Sequence, residues 1–79
     1  MAGIDENLTF YPLGIAVLTI SDTRDEMTDT SGSLLVERLT SAGHILIDRA
    51  IVRDDIEEIQ KSLQRWITNE EVEIILTTG

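Results

Sequence analysis

Asp22, Asp25, Asp29 and Asp54 are the residues of this chain best suited to chemistry. Carboxylate oxygens are hard ligands, and Mg²⁺ is commonly held by one or two of them together with the phosphate oxygens of a substrate. By spacing alone the same aspartates serve equally as solvated turn formers, with Asp54 or Asp55 capping a helix. Thr30, Ser31 and Gly32 offer hydroxyl and backbone N–H groups to a phosphate at the start of a helix, and they fit a plain capping run just as well. Thr77-Thr78-Gly79 can open a phosphate loop. The remaining glycines, however, are too scattered for a Walker or dinucleotide fingerprint. His44 follows a helix-ending glycine and reads as a dipole partner or surface residue. Trp66, on an apolar helical face, reads as core or interface.

Composition removes several alternatives. The 79 residues allow one small domain, and the absence of cysteine with a single histidine excludes disulfides, thiolate zinc sites and a cysteine nucleophile. One histidine is also too few for a histidine zinc site or a triad built beside it. A formal charge of -9 repels a phosphate backbone and an anionic membrane surface, which argues against nucleic acid and membrane partners. No apolar run is long enough to span a bilayer. Asp5 and Glu6 in an N-terminal stretch without a basic region argue against a secretory signal, so the expected compartment is the cytoplasm.

The elements that must position these residues follow from periodicity. Residues 1–13 show no period and read as an N-terminal arm. Gly14 to Ile20 is β-branched and apolar on both alternating faces, the pattern of a central parallel strand. Ser21 to Ser31 is polar and forms a loop at its carboxyl end. Leu34, Leu35, Val36, Leu39 and Ala42 then mark a short helix, with Asp29, Thr30 or Ser31 as its N-cap and Gly43 just past its end. His44 to Val52, with the polar pair Asp48-Arg49 at its middle, reads as a strand nearer the sheet edge. Ile56, Ile59, Leu63, Trp66 and Ile67 form the face of a second helix, capped by Asp55. Val72 to Thr77 is a third strand.

The resulting β-α-β-α-β order predicts an α/β fold with parallel strands. Ligands of open α/β sheets bind beyond the carboxyl ends of the strands. That rule gathers Ser21 to Ser31, Arg53 to Asp55 and Thr77 to Gly79 at one edge. A third strand normally needs a covering helix on its second face. Residues 14–79 are therefore expected to be the N-terminal part of a larger domain.

Four segments, Ile15-Ala-Val-Leu-Thr-Ile-Ser-Asp-Thr-Arg, Asp29-Thr-Ser-Gly, Ala50-Ile-Val-Arg-Asp-Asp and Ile74-Ile-Leu-Thr-Thr-Gly, resemble the molybdenum cofactor biosynthesis family. That family includes the molybdopterin adenylyltransferases, and its bacterial B-type members share the Ser-Gly pair and the Trp66-Ile67 ending. The resemblance spans Gly14 to Gly79 and implies a three-layer α/β/α fold with a mostly parallel sheet, assembled as a homo-oligomer, a trimer or hexamer. It implies a reaction in which the AMP part of Mg-ATP is joined to the terminal phosphate of molybdopterin, with release of pyrophosphate.

Position by position, the resemblance makes Asp54 the catalytic aspartate and Mg²⁺ ligand. Asp22 and Ser31 match pterin-pocket residues, and Thr78 and Gly79 match the opening of a Thr-Gly-Gly-Thr-Gly phosphate loop. Arg53 departs from the proline common in the family. The family's second magnesium aspartate follows the phosphate loop and is not among these 79 residues. The alternatives are a non-catalytic molybdopterin-binding scaffold and a regulatory α/β module for another phosphate ligand.

Overall fold

A computed structural model describes residues 11–23 and 29–79. Most of the expected N-terminal arm and the candidate ligand Asp25 lie outside the described residues. The elements run β1 (Gly14–Ile20), α1 (Thr30–Ser41), β2 (Ile45–Val52), α2 (Ile56–Ile67) and β3 (Ile74–Thr78). Among the described residues the sheet has three strands in the order β2-β1-β3, with both pairings parallel.

β1 occupies the middle because its sequence has no polar face to give to water. Every residue from Gly14 to Thr19 is buried. Its odd-numbered residues Ile15 and Val17 pack with Leu39, Leu35 and Val36 of α1. Ala16 and Leu18 pack with Trp66, Ile59 and Leu63 of α2. The two helices therefore cover opposite faces, and the layers are α/β/α.

Helix ends are set by local chemistry. Asp29 is the N-cap of α1, and its side chain accepts the Gly32 N–H. At the other end, Gly43 N–H donates to the Thr40 carbonyl and His44 N–H to the Leu39 carbonyl. That pair of bonds is a Schellman motif, and it requires the left-handed φ of 92° that Gly43 adopts. His44 is half-buried, and its Nδ1 accepts the Leu13 N–H at 3.0 Å, tying the entry of β1 to the entry of β2. Asp55 caps α2 by accepting the Glu57 N–H at 2.8 Å, and Glu57 and Glu58 add negative charge at the positive end of the dipole.

Three details differ from the expectations. Ile56 and Ile67 were expected on the core face of α2 but are 74% exposed, because they sit at the helix's two ends while Ile59, Leu63 and Trp66 between them meet the sheet. β3 begins at Ile74 rather than Val72, since a turn in which Val72 N–H donates to the Asn69 carbonyl uses the preceding residues. The third difference is a β-bulge in β2. Ile15 pairs with Leu46 but Ala16 pairs with Asp48, so Ile47 is an extra residue. The bulge reverses the alternation of faces. Leu46 lies in the α1-side core, whereas Asp48 accepts the Trp66 Nε1–H at 2.8 Å on the α2 side. Arg49 consequently reaches the α1 side.

Candidate functional site

The carboxyl ends of β1 and β3 and the turn after β2 enclose an open cleft of about 500 Å³. Ser21, Asp22, Asp54, Thr77, Thr78 and Gly79 line it. Four of the five site residues expected from sequence thus share one cavity. The fifth, Ser31, is half-buried on the first turn of α1 and does not line it.

Each lining residue is positioned by the strand that precedes it. The β1–β2 ladder continues one bond past the strand end, with Ser21 N–H donating to the Val52 carbonyl at 2.8 Å. Asp54 N–H then donates to Asp22 Oδ1 at 3.1 Å, linking the turns after β1 and β2. Asp22 and Asp54 are both exposed. On the other side of β1, Thr78 pairs in register with Thr19. Gly79 runs close enough to the end of β1 that an added Cβ would sit 3.0 Å from the Ile20 carbonyl oxygen.

Among the described residues no group of three histidine, aspartate or glutamate side chains converges as a metal cage. The exposed Asp54 carboxylate opens on this cleft, and one carboxylate together with substrate phosphate oxygens is a donor set that suits Mg²⁺, so the residues present fit such an ion.

Below the cleft, on the α1 side, lies a polar cluster that sequence reasoning did not assemble. Asp29 is only 1% exposed. Its Oδ2 accepts the Thr19 hydroxyl at 2.6 Å and Arg49 Nη2 at 3.0 Å, and its Oδ1 accepts the Gly32 N–H at 2.9 Å. Arg49 Nη2 also donates to the Asp29 carbonyl at 3.3 Å and to Ser33 Oγ at 3.0 Å. Burial pushes the Asp29 carboxyl up, but the hydrogen bonds from Thr19, Gly32 and Arg49 and the Arg49 charge outweigh it, leaving the pKa below its ordinary value. Thr19, a hydroxyl in a strand buried on both faces, was the available signal, since a buried hydroxyl needs a partner.

Gly32 belongs to this cluster for steric reasons. A Cβ there would overlap the Asp29 carboxylate and lie 2.7 Å from Thr19 Oγ1. Gly32→Ala is expected to destabilise the protein by about 2 kcal/mol, although alanine is the better helix former, because it displaces the buried acceptor. Urea denaturation of the full-length protein checks this. A gain in stability would contradict it.

Comparison with known proteins agrees with this architecture. The sequence profile of the family described as "Probable molybdopterin binding domain" matches residues 16–79. Molybdenum cofactor biosynthesis protein B of Escherichia coli (strain K12) is 40% identical over 70 residues, covering 89% of this chain and 41% of that protein. The protein of the same name from Bacillus anthracis is 48% identical over 63 residues, covering 80% of this chain and 37% of its own length. A crystal structure of a molybdenum cofactor biosynthesis protein B superposes with a TM-score of 0.83 at 43% identity, covering 87% of this chain and 43% of that one. The chain spans about two fifths of the length of these relatives. Since the family profile matches residues 16–79 and the fold agrees over 87% of the chain, the chain belongs to the probable molybdopterin binding domain family.

Proposed function

We propose that the full-length protein acts in molybdenum cofactor biosynthesis, transferring AMP from Mg-ATP to the terminal phosphate of molybdopterin, and that residues 14–79 supply one part of the site. The observation that supports this most is the convergence of Asp22, Asp54, Thr78 and Gly79 on one cleft at the carboxyl edge of a parallel sheet. The names of the relatives support the pathway.

In this reading a phosphate oxygen of molybdopterin forms a bond to the α-phosphorus of ATP. The bond from that phosphorus to the bridging oxygen breaks, and pyrophosphate leaves with the electron pair. Such a step needs placement and charge stabilisation more than a covalent nucleophile. Asp54 and the substrate phosphates would hold Mg²⁺, whose chemistry is to neutralise the charge gathering on the phosphoryl oxygens. Thr78 contributes a hydroxyl, and the backbone at Thr78-Gly79 passes close to the end of β1, with no side chain on Gly79 to keep a phosphate away. Asp22, beside Asp54, lies where the pterin phosphate would enter. Two carboxylates line the cleft of a chain of net charge -9, which favours entry of a polyphosphate together with its cation. Among the described residues no helix is long and apolar enough to cross a membrane. A cytoplasmic trimer or hexamer completes the reading, with exposed Ile56 and Ile67 available for burial between subunits.

The test is incubation of the full-length protein with molybdopterin, ATP and Mg²⁺. Pyrophosphate release that depends on all three is the expected result. Pterin binding without ATP turnover would indicate a scaffold, and no pterin binding would overturn the proposal.

A further inference from the structure

We infer that Asp22 is a positioning residue for Asp54, holding the turn that carries it through an acceptor oxygen rather than through negative charge. The inference rests on the reading of Asp54 as the residue that engages the metal-bound nucleotide.

The β1–β2 ladder runs in register up to Ile20 and Val52, and Ser21 N–H extends it to the Val52 carbonyl. Beyond that point Asp54 N–H meets a side chain instead of a backbone carbonyl. Asp22 Oδ1 accepts it at 3.1 Å, across 32 residues of sequence. On its other side Asp54 is held by a tight turn, in which Asp55 N–H donates to the Arg53 carbonyl at 2.7 Å. The peptide groups flanking the Asp54 Cα are thus both tied.

Asp54 is itself exposed, so no packing orients its carboxylate. The backbone sets where its Cα–Cβ bond points, and these two bonds tie that backbone. Neighbouring Asp55 is engaged elsewhere, its Oδ1 accepting the Glu57 N–H as the cap of α2. A backbone N–H asks only for an oxygen lone pair, which an asparagine side chain supplies as well as an aspartate does. A metal or charge role at Asp22 would instead be lost in asparagine.

The experiment uses the full-length protein with Asp22→Ala and Asp22→Asn, reading kcat and KM for Mg-ATP in pyrophosphate release and the exchange rate of the Asp54 amide by ¹⁵N-resolved spectra. Asp22→Ala is expected to lower kcat by about tenfold or more with a smaller change in KM, since a misplaced group loses rate before affinity. Its Asp54 amide should exchange about tenfold faster. Asp22→Asn is expected to recover most of both losses, to within about fivefold of the unsubstituted protein. An asparagine variant as impaired as the alanine one would overturn the inference, as would an alanine variant with unaltered rate. Should the unsubstituted protein release no pyrophosphate, the functional reading fails by itself. The exchange measurement still decides the positioning, because an Asp54 amide unaffected by Asp22→Ala refutes it.

Discussion

Asp54→Ala is expected to lower the rate of molybdopterin-dependent pyrophosphate release by about 10² to 10³-fold, the scale set by removing one group that stabilises charge in a transition state. The loss should fall on the reaction and not on the fold. Asp54 is exposed, lies between β2 and α2, and uses its backbone N–H rather than its carboxylate in the turn. The cap of α2 belongs to Asp55, so the helix keeps its N-terminal bond in the variant. Unfolding in urea should therefore be unchanged within about 0.5 kcal/mol. Excess Mg²⁺ should recover part of the rate if the carboxylate's contribution is to bind the ion. A variant that retains more than half of the original rate would remove Asp54 from the mechanism.

Asp29→Ala has the opposite signature, a large loss of stability. It takes the acceptor from the buried Thr19 hydroxyl, the cap from α1 and the partner from Arg49. Losing a cap costs about 1 kcal/mol, and a buried hydroxyl left without its partner costs about 1 to 3 kcal/mol. The Arg49 side chain is 26% exposed and regains water, which limits its share. A total near 3 kcal/mol is expected in urea denaturation of the full-length protein, with Asp29→Asn costing less because its amide oxygen still caps the Gly32 N–H. A loss under about 1 kcal/mol would mean the cluster is not a structural anchor.

The same residue makes stability depend on pH. The folded-state pKa of Asp29 is depressed below its ordinary value of 3.8. Its contribution is therefore complete above that value and lost as pH falls through the depressed folded-state pKa. The stability difference between the original protein and Asp29→Ala should be constant near neutrality and shrink below about pH 4. A difference that persisted unchanged at lower pH would mean that the carboxylate charge is not what stabilises the cluster.

How far the sequence foretold these features depends on which interactions set them. β1 was readable because a strand apolar on both faces has only one place in an α/β sheet, and the structure puts it in the middle. Gly43 and Asp55 were readable because caps depend on neighbours a few residues away. The shared cleft followed from topology alone: parallel strands deliver residues 21–22, 54 and 77–79 to one edge whatever their side chains are. The Asp29 cluster was not readable, because it depends on the bulge at Ile47. Read as an unbroken strand from Leu46, β2 would turn Arg49 toward α2 instead of Asp29, and no glycine or proline marks the bulge. The Asp22–Asp54 bond was hidden for a related reason. It joins two turns at a depth along the ladder that only the register reveals.

The most direct measurement is a crystal structure of the full-length protein with molybdopterin, Mg²⁺ and a non-hydrolysable ATP analogue bound. Phosphate groups within hydrogen-bond reach of Thr78 and Gly79, with the cation on Asp54 and the pterin phosphate beside Asp22, are the expected result. Ligands seated instead against the concavity beside the first turns of α1, at Thr30, Ser33 and Glu37, with the cleft between β1 and β3 left to water, would contradict the account.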